Sequence, residues 1–414
     1  MKVMEERDSG GGGQYQGAAV KKGWPRKTLG EVCQFRGGGT PSKSVERYWR
    51  GDIPWVSPKD MKFDVVSDSI DHISQEAIDG SATSLIPKDS VLMVVRSGIL
   101  ARIVPIAITG RDLTINQDLK ALCPNGAMDA RFLYHLLDSK MDELLSMVSR
   151  GATVHRLMTD QIRNLDFVLP PLAEQQRIVG LLDEAFEGLA TAKANAEKNL
   201  QNARALFESH LQSVFTQRGP GWVEKKVSEI AKHSLGKMLD KAKNKGEPQP
   251  YLRNINVRWF TFDLSDLLEM PFLPSEAEKY TAVKDDVLIC EGGYPGRAAI
   301  WNEDYPIYFQ KALHRVRFHE PELNKWFVYY LSVQDSSGQL KQHFSGTGIQ
   351  HFTGEVLSRF PIPVPPLPEL RRAVAKFDAL SEETQHLARL YEQKLAALEA
   401  LKKSLLHQAF TGQL

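Results

Sequence analysis

Little in this sequence announces a function outright. Among its 414 residues there are only three cysteines, Cys33, Cys123 and Cys290. They are odd in number and far apart, which supports neither a disulfide framework nor a zinc site and points to a reducing, cytoplasmic setting. No apolar run reaches membrane-spanning length, so no membrane partner is expected. Neither sign of charge is in excess: 52 Lys and Arg stand against 51 Asp and Glu, a net charge of +1. That excludes a strongly basic, non-specific nucleic-acid coat but not a local basic face. Residues 1–22 are polar, carry the run Gly10–Gly13 and have no apolar core of signal-peptide type; they are expected to be a disordered tail.

Catalytic signatures are missing too. The Pro-Pro pairs are preceded by Leu169 and Val364, not by the Asn or Asp of a DNA methyltransferase motif. Gly37–Ser44 lacks the glycine before lysine that a phosphate-binding loop requires. No His-Glu-x-x-His, Cys-x-x-Cys or Gly-x-Ser-x-Gly occurs. No catalytic residue, metal or cofactor is therefore assigned to this chain.

What is present is a long internal repeat. Arg131–Leu136 matches Trp326–Leu331 at an offset of 195 (131 to 326). The same register aligns Gly151–His155 with Gly346–Gln350, Leu169–Glu174 with Val364–Glu369, and Phe215-Thr216 with Phe410-Thr411. Upstream the offset drifts, to 196 at Lys88–Leu92 and 198 at Gly23-Trp24, as loops of unequal length would make it. Each unit is a variable globular part, a Pro-Pro hinge and a helix. The globular parts read as mixed α/β, with short β-branched runs such as Val91–Val95 and Val287–Cys290 between Gly and Pro clusters.

The helices carry an apolar seam. Leu182, Phe186, Leu189, Ala196, Leu200, Phe207 and Leu211 step by three, four or seven residues, as do Phe377, Leu380, Leu387, Tyr391, Leu395, Leu398 and Leu405. Pro170-Pro171 and Pro365-Pro366 fix where each begins. A helix of about 40 residues is about 60 Å long, so one copy is expected to bury its seam against the other. The predicted architecture is mixed α/β with a pseudo-two-fold repeat. It has a globular domain at 23–168, a helix at 169–217, a linker at 218–221, a second domain at 222–363 and a second helix at 364–414. The two helices form an antiparallel intramolecular coiled coil.

Positive charge concentrates at matching places in the two copies. Residues 21–50 carry Lys21, Lys22, Arg26, Lys27, Arg36, Lys43, Arg47 and Arg50 against Glu31 and Glu46. The second copy has Lys232, Lys237, Lys241, Lys243, Lys245, Arg253 and Arg258 against Asp240 and Glu247. Two such patches suit phosphate contacts. Candidates for reading base edges are Arg96, Ser97, Asn116, Gln117, Thr153, His155 and Arg156 in the first copy. In the second they are Arg253, Asn254, Arg297, Gln310, Gln350 and His351. Gly38, Thr40 and Ser42 lie in a glycine-rich loop that lets backbone approach a partner, and Tyr294 is placed to stack or wedge.

This arrangement resembles the specificity subunit of a Type I restriction–modification enzyme. The resemblance runs from about residue 23 to the end. It rests on Leu169–Ile178 above all, then on Gly38–Ser42, Ile53–Val56, Ile115–Asp118, Val287–Gly293 and the terminal Gln408–Gly412. The second helix start departs from the pattern, with Glu369-Leu370-Arg371-Arg372 replacing the Gln-Gln-Arg form. The resemblance implies a non-catalytic, sequence-specific binder of double-stranded DNA whose two domains read the halves of an asymmetric, gapped target. It implies two modification (methyltransferase) subunits that dock along the helices and carry S-adenosylmethionine. It implies restriction/translocase subunits that use ATP and Mg. Two other readings stand beside it: a specificity module with its own hidden nuclease or methylase activity, and a protein-only coiled-coil scaffold.

Overall fold

Short apolar strands pair into sheets in each half of the chain. The computed structural model describes residues 24–151, 153–240, 244–346, 348 and 350–414. They form two compact units, residues 24–195 with Lys394–Leu414, and Ala196–Gln393. The division falls within both long helices, so neither helix is a body of its own.

In the first unit a five-stranded sheet has the order Cys33–Gly37, Leu119–Pro124, Val91–Val94, Ile106–Thr109, Val65–Val66. All four residues of Val91–Val94 are buried, as a strand covered on both faces requires. A three-stranded sheet places Ile53–Val56 between Asp71–Ile73 and Thr114–Ile115. Helix α1, Ala130–Ser139, is capped by Asp129, whose carboxylate accepts from the amides of Arg131 and Phe132. Its buried face, Phe132, Leu133, Leu136 and Leu137, joins a core completed by Ile178 and Leu182 of α2 (Leu172–Thr216) and by Leu406 and Ala409 of the last helix.

The second unit holds two four-stranded sheets and helix α3, Glu322–Ser336. Its core gathers Trp326 and Phe327 of α3, Leu211 and Phe215 of α2, and Leu370 and Phe377 of α4 (Leu367–Thr411). The Trp326 ring stacks on Phe377 at 6.0 Å.

Each long helix has 45 residues, and within each unit they run antiparallel. In the first, Arg177 donates to the Leu414 carbonyl and Lys193 pairs with Glu399 at 2.6 Å. In the second, Arg204 pairs with Glu392 at 2.8 Å and His210 lies 6.0 Å from Phe377. Of the seam residues, Leu182 and Phe377 are fully buried in their domain cores. Phe186, Leu189, Leu200, Phe207, Leu387, Tyr391, Leu395 and Leu398 are half-buried. Burial in the seam is thus shared between the partner helix and the unit's own domain. The departure at the second helix start has a local cause. Gln175 is buried and its amide bonds the Asp129 amide and the carbonyls of Ala127 and Pro170, whereas Leu370 at the matching position packs into an apolar core.

All three cysteines are free and buried; burial pushes the Cys33 thiol up to about 12 and that of Cys290 to about 11. Among the described residues, no helix is long and apolar enough to cross a membrane.

One buried group makes stability depend on pH. His314 is 1% exposed and its Nε2 meets the Phe352 carbonyl at 3.1 Å. Burial, helped by nearby His233, holds its pKa down to about 4. The unfolded chain takes up this proton near pH 6.5 and the folded chain only near 4. The stabilisation is therefore complete above pH 6.5 and is lost as pH falls towards 4, by on the order of 2–3 kcal/mol. Unfolding curves at pH 7 and pH 4.5 should show a larger loss for the wild type than for His314→Gln; equal losses would refute the assignment.

Candidate nucleic-acid interface

The glycine-rich loop of the first unit is built by close backbone contact. A Cβ on Gly38 would lie 2.1 Å from the Ile115 carbonyl oxygen and 2.2 Å from that of Asn116, so only glycine fits. Next to it the Gly39 amide donates to the Ile115 carbonyl at 3.1 Å. The Gly39 carbonyl accepts from the Trp55 indole at 2.9 Å and the Thr83 hydroxyl at 2.8 Å. The stretches Gly38–Ser42, Ile53–Val56 and Ile115–Asp118, separate in sequence, thus meet at one place.

From this cradle a polar surface extends. The Thr40 hydroxyl donates to the Gln117 side-chain carbonyl. Asn116 is buried, and its amide donates to Asp118 at 3.2 Å. Asp118 in turn holds Arg96 at 2.9 Å. Arg96-Ser97 then pairs antiparallel with His155-Arg156, and the Thr153 carbonyl lies 3.7 Å from a Cβ position on Gly98. Gly38, Thr40, Arg96, Ser97, Asn116, Gln117, Thr153, His155 and Arg156 are therefore brought together, with Thr40, Arg96, Gln117, Thr153 and Arg156 exposed. Ser42 and Lys43 follow in the same loop, also exposed. Lys27 and Arg36 are engaged elsewhere, Lys27 with Glu31 at 2.9 Å and Arg36 with the Leu85 carbonyl at 3.1 Å.

The second unit repeats the cradle. A Cβ on Gly236 would lie 2.2 Å from the Gln310 carbonyl oxygen, and the Lys237 amide donates to the Phe309 carbonyl. Gln310 N bonds Leu252 O as Asn116 N bonds Val56 O, and Phe352 N bonds Glu291 O as Leu157 N bonds Val95 O. The bridge Ser345–His351 matches Ser149–Arg156. Asn254 donates to the Gly292 carbonyl at 3.0 Å, and its own carbonyl takes Arg297 at 3.0 Å. The Arg297 guanidinium lies 4.4 Å from the ring centroid of Tyr294, which is 66% exposed. The His351 ring lies against Gly292, and Gln350 is exposed. Asn254, Tyr294, Arg297 and His351 thus share one surface, and Gln310 sits at the cradle.

Much of the local positive charge is neutralised by carboxylates that lie outside the two basic stretches. Arg26 pairs with Asp166 and Arg47 with Glu76; Arg253 pairs with Asp266 and Arg258 with Asp263. Lys237 is 7% exposed, with its ammonium on Glu276 and the Pro271 carbonyl and above the Phe272 ring. The count of two acids against each basic stretch therefore overstates the free charge, because it saw only neighbours in sequence. Lys21, Lys22, Lys241 and Lys243 lie outside the described residues. Sequence reasoning missed Asp118, which orients Arg96, and Gly236. The signal for Gly236 was available: the offset of 198 that aligns Gly23 with Gly221 also aligns Gly38 with Gly236.

A duplicated α/β unit, each copy with a glycine-cradled polar surface and a long helix, defines a chain of paired recognition domains. The family model described as Type I restriction modification DNA specificity domain matches residues 21–200 and again 220–399; the chain belongs to this family and carries its domain twice. Over 160 residues it is 40% identical to the Type I restriction enzyme EcoR124I/EcoR124II specificity subunit of Escherichia coli, covering 38% of this chain and 40% of that protein. Over 195 residues it is 30% identical to the Type I restriction enzyme MjaIX specificity subunit of Methanocaldococcus jannaschii, covering 46% and 44%. The matched stretch spans less than half the length of either relative. A solved chain described under "Structural basis underlying complex assembly and conformational transition of the type I R-M system" shares the fold. Its TM-score is 0.75 at 20% identity, over 96% of this chain and 100% of that one.

Proposed function

We propose that this chain is the sequence-specific DNA-binding subunit of a Type I restriction–modification complex and is not itself catalytic. Recognition domains at 23–168 and 222–363 each read one half of an asymmetric bipartite target. The helices at 169–217 and 364–414 set the gap and dock two modification subunits. Those subunits supply S-adenosylmethionine chemistry, and restriction subunits supply the ATP- and Mg-dependent steps. The complex works in the cytoplasm. The observation that carries this reading is the twice-built cradle: the same backbone contacts recur around Gly38 and Gly236, while the side chains presented differ. Equal scaffolds with unequal side chains suit two different half-sites. Docking along the helices is supported by Leu181, Leu206, Leu390 and Leu401, each more than two-fifths exposed.

The test uses the purified chain with and without its modification subunit. Alone it should neither methylate nor cut DNA; with the subunit, methylation should appear at a gapped target. Methyl transfer or cleavage by the chain alone would favour the hidden-enzyme reading. No DNA binding even with the subunit would favour the scaffold. Within the first unit, Gln117→Ala should relax the requirement at one base pair of one half-site by about 1–3 kcal/mol. Lys43→Ala should instead weaken all sequences alike and flatten the salt dependence by about one phosphate contact. Affinities measured over a set of single-base-substituted duplexes at several salt concentrations separate these outcomes.

A further inference from the structure

A cavity of about 790 Å³ opens in the first unit between α1, the N-terminal half of α2 and the C-terminal half of α4. The repeat shows what the second unit has in the same place. At an offset of 195, Tyr134 matches Tyr329 and Asp183 matches Asp378, while Lys402 matches Phe207; at 196, Asp64 matches Phe260. In the second unit the Phe260 and Phe207 rings lie 5.3 and 5.9 Å from the Tyr329 ring and 6.2 Å from each other. Aromatic side chains thus fill the space. In the first unit a carboxylate and an ammonium stand at those positions, and the space is open.

The lining is acidic. Five carboxylates face the cavity, from Asp64, Asp138, Asp183, Glu187 and Glu399, against the three cations Arg131, Lys193 and Lys402. Those cations are engaged: Arg131 on Asp183 at 3.0 Å, Lys402 on Asp138 at 2.8 Å and Lys193 on Glu399 at 2.6 Å. Among the described residues, Glu187 and Asp64 have no cation paired with them. Half-buried Phe186, Leu189 and Leu398 supply an apolar floor. A duplex, itself a polyanion, is repelled by this lining; a protein segment that brings a Lys or Arg on an aliphatic stem is attracted by it.

We propose that this cavity seats a cationic segment of the modification subunit docked on the first unit. Among the described residues the second unit has no such seat at the matching place, so the two modification subunits are held with unequal affinity. This rests on the proposed docking of modification subunits along the helices, because Glu187, Lys193, Glu399 and Lys402 belong to those helices.

The test is a titration of the full chain with its cognate modification subunit, followed by native mass spectrometry, to obtain two successive dissociation constants, each corrected for the statistical factor of two equivalent sites. Two unequal constants are expected. Glu187→Lys, and separately Ala190→Trp, should weaken the tighter one by about tenfold or more and leave the other unchanged. Both positions are exposed on α2, and circular dichroism checks that the variants fold. Glu382→Lys, the matching position in the second unit, should leave both constants within about twofold. Equal wild-type constants, no effect of either first-unit variant, or the same effect from Glu382→Lys would overturn the proposal. A wild-type chain that binds no modification subunit would overturn the docking reading itself and this proposal with it.

Discussion

Gly38→Ala is expected to abolish recognition of one half-site while sparing the other, and Gly236→Ala to do the reverse. Each added methyl would sit about 2 Å from a backbone carbonyl oxygen, Ile115 and Asn116 in one case and Gln310 in the other. Backbone cannot yield as a flexible side chain can, so the loop must move. In the first unit that displaces Thr40 from Gln117 and, through Asn116 and Asp118, the support of Arg96. Loss of several positioned contacts at once should cost two orders of magnitude or more in affinity for that half-site, roughly 3 kcal/mol. Duplexes carrying one intact and one scrambled half-site give the readout. Equal loss at both half-sites from either variant would contradict the assignment of one cradle to each.

Shortening both long helices by one heptad should change the spacing of the target and nothing else. Removing one heptad from each helix keeps the phase of its apolar seam on both sides of the deletion. Seven residues are about 10 Å of helix, the length of about three base pairs of duplex. The preferred gap is expected to shorten while both half-site sequences persist. Altered half-sites with an unaltered gap would remove the helices from the role of ruler.

The repeat, the helices and their starting points were legible because they are written in local chemistry. The Pro-Pro pairs cannot lie inside a helix, and the apolar steps from Leu182 onward and from Phe377 onward require a buried face. The recognition surface was only half legible. Arg96, Gln117 and Arg156 are the right types in loops, but nothing in the sequence says that Arg96-Ser97 pairs with His155-Arg156 across more than 50 residues. Charge was the least legible property. Asp166, Glu76, Asp266 and Glu276 reach basic residues far away in the chain, and a local count of acids cannot see them. The difference between the cavity at Asp64 and the aromatic filling at Phe260 was hidden for the same reason: its parts come from three separated stretches.

Mapping methylated positions in the genome of cells that carry this chain and its modification subunit addresses the two-reader account directly. Two unlike short sequences separated by a fixed unspecified gap are predicted, with one of them lost when Gly38 is replaced and the other when Gly236 is replaced. A single uninterrupted motif, or a two-part motif in which both replacements erase the same part, would show that the two units do not read DNA separately.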